Sequence, residues 1–135
     1  MSRNATKKLI ALCLALVLIF SISAAAGETV ADRIHFIATT IKVYSNSVTV
    51  EGYFVNLNTG YTVKNFKDFN LYVYQNGSLL ISGSFGKINQ FSVKPLGVKY
   101  QSFTWRNRTL SWANGTYSCS DDIHCRFSCK FKKSR

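Results

Sequence analysis

The stretch FNLYVYQNGSLLISGSF, residues 69–85, decides the fold class. Phe69, Leu71 and Val73 point one way and Asn70, Tyr72 and Tyr74 the other; after Asn76-Gly77 the alternation resumes through Leu79, Ile81, Gly83 and Phe85. A period of two is the strand signature, because successive side chains leave opposite faces of the pleat. Asn-Gly between two such runs marks a tight hairpin, since both central residues of the turn need positive φ. The segment predicts two antiparallel strands joined by a two-residue turn.

Upstream, Ile34, Phe36 and Ala38 alternate, and Ile41 with Val43 continues that strand beyond a bulge at Thr39-Thr40. Ser45-Asn46-Ser47 turns the chain. Val48, Val50, Gly52 and Phe54 then share one face, with Thr49, Glu51 and Tyr53 on the other. Residues 56–60 (NLNTG) are rich in turn formers, Tyr61 to Lys64 reads as a short strand, and Asn65 to Asp68 as a loop. Downstream, Lys87 to Gln90 breaks the pattern, Lys94-Pro95-Leu96-Gly97 makes a turn, and Val98 to Trp105 forms a strand with Phe103 and Trp105 on one face. The single proline falls between strands, where it removes no ladder hydrogen bond. No stretch after residue 30 carries a useful 3.6-residue apolar repeat. The expectation is an all-β domain of about seven to eight strands, a two-sheet sandwich with a small barrel as the runner-up. Phe36, Phe54, Phe69, Phe85, Phe91, Phe103 and Trp105 are expected in the core, and Tyr53, Tyr72 and Tyr74 as outward cross-strand partners.

The first residues belong to a different class. Arg3, Lys7 and Lys8 precede an uncharged apolar run, Leu9 to Ala26, that ends in Ala24-Ala25-Ala26. A basic start, an apolar run and a small-residue end describe a secretory signal helix, with an uncleaved membrane anchor as the rival reading. The 135-residue chain carries 17 Lys and Arg against 6 Asp and Glu, a formal charge of +11. Removing residues 1–26 takes three positive charges and no carboxylate, leaving fourteen against six, or +8. Such a field favours polyanions: wall polymers, acidic headgroups or acidic polysaccharide. Export argues against nucleic acid as the partner.

The runs VTVEGYFVNLN (48–58), FNLYVYQNGSLLISGSF (69–85) and VKPLGVKYQSFTW (93–105) resemble the small immunoglobulin-like domains of bacterial cell-envelope proteins, in particular the SLAP and FxLYD groups of Firmicutes. Gly52 and Asn56, Asn76-Gly77, and Pro95 with Phe103 fall at the points that carry the pattern. The resemblance covers about half the chain. It implies an immunoglobulin-like β-sandwich at or beyond the cell surface, and it carries over no catalytic or binding residue. On this reading residues 1–26 are the signal, 27–108 the sandwich, and 109–135 a basic, cysteine-containing hairpin or tail packed on the sandwich or extending it.

That tail is the distinctive segment. Thr116 to Cys119 reads as a strand, Ser120-Asp121-Asp122 as a turn, and His124 to Phe131 alternates, with Cys125, Phe127, Cys129 and Phe131 on one face. Cys125 and Cys129 are four residues apart on one strand, roughly 13 Å. A disulfide needs Cα atoms within about 7 Å, so these two do not bond each other. Cys119 is then the common partner, of Cys125 across the turn or of Cys129 farther along. Three thiols with His124 match no familiar zinc spacing, and no cofactor motif or nucleophile turn appears. Arg106, Arg108, Arg126, Lys130, Lys132, Lys133 and Arg135 put half the cations of the exported chain in its last thirty residues. The function expected is non-catalytic: an envelope or secreted module adhering to anionic wall or surface polymer through its basic end. The alternative is an assembly subunit acting through an exposed strand edge or an unpaired cysteine.

Overall fold

The computed structural model describes residue 30, residues 33–107 and residues 110–135. The expected signal segment and Arg108 lie outside these residues. Eight strands follow in order: β1 (Ile34–Val43), β2 (Val48–Asn56), β3 (Thr62–Gln75), β4 (Ser78–Gly86), β5 (Ser92–Val93), β6 (Val98–Trp105), β7 (Gly115–Ser118) and β8 (Ile123–Ser134). They form two antiparallel sheets packed as a β-sandwich. The first sheet runs β6-β2-β1-β7. In the second, β3 is central: β4 and β5 take successive parts of one edge, and β8 runs along the other.

Local chemistry explains the hairpins. Gln75 and Ser78 pair across Asn76-Gly77, whose φ angles are 50° and 82°, the geometry that Asn and Gly supply most readily. In the β1–β2 hairpin the register slips between Ala38 and Thr40, leaving Thr39 as the bulged residue. Gly52 lies opposite, and a Cβ there would run into the Ile37 carbonyl and the Ala38 backbone.

Phenylalanine joins the sheets. Phe54 of β2 lies 5.1 Å, centroid to centroid, from Phe36 and from Phe66, and 5.5 Å from Phe69. Phe69 of β3 stacks on Phe103 of β6 at 4.4 Å and 3°. Around these rings Ile41, Val43, Val48, Val50, Leu71 and Val73 are fully or almost fully buried. Each large side chain so buried contributes about 1.5–3 kcal/mol relative to exposure. Trp105 closes one side of the sandwich by donating its indole N–H to the Ser82 carbonyl of β4, 3.0 Å away.

Four expectations are corrected. The separate strand and loop at 61–68 are instead the first half of β3, and Phe66, within the expected loop, is core. In β4 a register shift between its Tyr74 and Val73 pairings changes the phase, so Leu79 faces solvent while Leu80 packs on the core. Tyr53 is buried, in a second apolar cluster with Val55, Leu57, Ile37 and Val98 on the other face of the first sheet. Its cross-strand partner is Tyr100, edge-on at 5.8 Å. Finally, β7 and β8 make no hairpin: β7 pairs with β1 and β8 with β3, so the tail completes both sheets. Backbone pairing to sheets already formed satisfies more donors and acceptors than a four-residue strand could offer β8.

Candidate functional site

The site grows from an irregularity in β3. Between Lys64 and Asn70 its register against β8 shifts twice, and Asn65 and Asp68 adopt φ of 56° and 50°. Asn and Asp are the side chains, after glycine, that tolerate this left-handed geometry. The two kinks turn Phe66 into the core and leave Lys67 exposed beside Lys130, its partner on β8. The loop after β4 docks here as well, the Ile88 N–H donating to the Phe66 carbonyl at 3.0 Å.

Between β3, this loop and β8 lies a cleft of about 670 Å³. Lys67, Lys87, Lys130 and Lys132 line it, and Asn65, Asn89 and Gln90 add carboxamides. Phe66, Ile88 and Phe131 supply its apolar surface. No carboxylate is among the lining residues. The nearest is Asp68, 3.6 Å from the Lys130 ammonium, and both groups are largely exposed. An exposed pair of this kind contributes little, so it leaves Lys130 available to a ligand. Four ammonium groups from three segments, around a concavity, focus a positive field on its mouth.

The basic surface continues past the cleft. The Lys133 ammonium lies 5.0 Å from the centroid of the Tyr61 ring and the Arg135 guanidinium 5.4 Å from it. Arg135 also donates to the Tyr61 hydroxyl at 3.2 Å, which holds that phenol below its ordinary pKa. At the other end of β8, Arg126 lies 5.5 Å from the Tyr74 ring centroid, and His124 stacks on the same ring at 5.4 Å. Asp121 and Asp122 precede that end of the strand, which itself carries no carboxylate.

Of the cations singled out from the sequence, Lys130 and Lys132 line the cleft, Lys133 and Arg135 extend it, and Arg126 sits apart beside Tyr74. Arg106, which follows β6 in the first sheet, does not line it. Lys67 and Lys87 were not anticipated. Their one sequence signal is that alternation breaks at 65–68 and again at 87–90.

Cys119, Cys125 and Cys129 are free thiols. Cys119 and Cys125 stand on either side of the short turn that leads into β8, near enough for their thiols to influence each other, and Cys129 lies farther along β8. That influence makes the Cys119 thiolate easier to form and that of Cys125 harder. Burial alone pushes Cys129 up to about 11. Among the described residues no group of three or more His, Cys, Asp and Glu side chains is placed to hold a metal ion. No family model matches the chain, and no curated protein or solved structure matches it either.

Proposed function

We propose that this chain is an exported, non-catalytic module of the cell envelope that adheres to an anionic polymer through the lysine-lined cleft. The observation that carries the reading is the cleft itself: Lys67, Lys87, Lys130 and Lys132 converge on it, and no carboxylate lines it. Three carboxamides beside the lysines suit the oxygens of a phosphate or carboxylate polymer, because they donate hydrogen bonds without adding charge. Export is the expectation from residues 1–26, and the pattern shared with SLAP and FxLYD domains points to the same compartment.

Cosedimentation of the purified protein with an anionic wall polymer, across a salt series, tests the proposal. Retention at low ionic strength is expected to fall steeply as salt is raised, because exposed charges are screened within about 10 Å at 0.1 M. Replacing Lys67 and Lys130 by Gln together is expected to weaken binding about tenfold, at up to ~1 kcal/mol for each exposed charge. Undiminished binding by that double variant would remove the cleft from the account.

A second reading has its own observation. Among the described residues β8 pairs with β3 on one edge and with no strand on the other, which offers a place for strand addition. Lys130, Lys132 and Lys133 blunt that edge against a like-charged copy. The partner suited to it is an acidic strand, and a peptide of that kind binding without competition from polymer would favour this reading. Assembly through Cys129 has less support, because that side chain packs against the core and its thiol is pushed up to about 11.

A further inference from the structure

We infer that Cys119 and Cys125 are a disulfide-forming pair that staples the first sheet to the second where the chain crosses between them, and that Cys129 takes no part. The two positions are fixed from different sides of the sandwich. Cys119 follows β7, and its N–H donates to the carbonyl of Thr39, the bulged residue of β1, at 2.9 Å. Cys125 lies in β8, opposite Val73 of β3. The crossing between them is a short turn closed by the Ser120 N–H donating to the Ile123 carbonyl at 2.9 Å. The Asn76 N–H donates to the Asp122 carbonyl at 2.8 Å, which ties this turn to the β3–β4 hairpin. Both side chains pack against the same core, one on each side of that turn. Bond formation therefore joins two side chains whose backbones are already held.

Geometry excludes a bond between Cys129 and Cys125. Cys129 shares the inward face of β8 with Cys125, four residues on, roughly 13 Å in an extended strand. Sulfurs cannot bond when their Cα atoms are more than about 7 Å apart.

The oxidant is a disulfide, either a small one such as oxidised glutathione or that of an oxidoreductase. The Cys119 thiolate attacks one sulfur of that disulfide and expels a thiolate, leaving a mixed disulfide on Cys119. The Cys125 thiol loses its proton and attacks the Cys119 sulfur, expelling the second thiolate. Two protein thiols are oxidised by two electrons in all, one external disulfide is reduced to two thiols, and the two protons released go to the leaving groups.

The test needs only the full chain. After equilibration in oxidised and reduced glutathione, free thiols are alkylated under denaturing conditions and the chain is cut with trypsin. Cleavage after Arg108, Arg126 and Lys130 puts Cys119 and Cys125 together in peptide 109–126 and Cys129 in peptide 127–130. The expected result is an unalkylated peptide 109–126 lighter by two hydrogens, with peptide 127–130 alkylated. Linkage of the two peptides, or alkylation of all three cysteines throughout the redox series, would overturn the assignment. Cys129→Ser is expected to retain the bond, and with it a thermal midpoint that falls by several degrees on reduction; Cys119→Ser and Cys125→Ser are expected to lose both. Wild-type peptide mapping keeps the question answerable if a variant does not fold. The outcome is independent of polymer binding.

Discussion

The two halves of β3 are built on different principles. From Phe69 to Gln75 the strand is flanked by β4 on one side and β8 on the other, and Phe69, Leu71 and Val73 are completely buried. From Thr62 to Asp68 it is kinked at two left-handed residues, pairs briefly with β5, and presents lysines. The regular half is held by apolar packing. The irregular half keeps Val63 and Phe66 in the core and adds a polar anchor at its entry, Asn56. That side chain is fully buried and donates to the carbonyls of Tyr61 at 2.8 Å and Val93 at 3.0 Å, while its own oxygen accepts from the Asn58 N–H at 3.0 Å. One half stabilises the domain, and the other spends regularity to bring cations from separate segments to one cleft.

Substitutions in the two halves should separate these roles. The largest effect is expected from Phe69→Ala, which removes a ring in contact with Phe36, Phe54, Phe103 and Phe127. Burial of this kind predicts a loss of about 3–5 kcal/mol, read by urea unfolding. A loss below about 1 kcal/mol would mean that packing does not govern the regular half. Asn56→Ala leaves several buried polar groups without their partner, and about 2 kcal/mol of destabilisation is expected. Protection of the Thr62–Lys64 amides against hydrogen exchange should drop with it, more than that of residues 69–75. Asn65→Ala, at φ of 56°, should cost about 1 kcal/mol and Asn65→Gly less than that; equal effects would argue against strain at the kink.

The smallest effect lies at the junction of the halves, where Cys129 sits between the Ser128–Asn70 and Lys130–Lys67 pairs. Its folded pKa is raised by burial from 9.0 to about 11. The neutral thiol is thus favoured in the folded state, so its contribution to stability is complete below the unfolded value and is lost as pH rises through about 9 to about 11. Wild-type protein should lose stability in that window more steeply than Cys129→Ser, as followed by thermal unfolding at graded pH.

The same contrast explains what could be read in advance. The Asn76-Gly77 turn and the β1 bulge at Thr39 are local, and their residue types announce them. The alternation of β8 is equally plain, but its partner is not. Asp121-Asp122 suggests a turn back onto β7, whereas the strand goes to β3 in the other sheet. Phe66 was hidden because Asn65 and Asp68 break the period on both sides of it. Charge density alone marked Lys130 and Lys132. Lys67 and Lys87 join them only through register and loop docking, which no single stretch of sequence encodes.

The long-range pairing of β3 with β8 also sets an order of assembly. Val73 and Cys125 are about 50 positions apart, a separation that makes closure of this sheet slow compared with the Asn76-Gly77 hairpin. Until β8 arrives, the strand that carries Phe66, Phe69, Leu71 and Val73 has one side unpaired, a template for any other strand at hand. A nascent chain would hold β3 in that half-clad condition until Ser134 had emerged from the ribosome. Its hazard is therefore aggregation before completion, and whatever escorts it must cover that edge rather than hurry the hairpin.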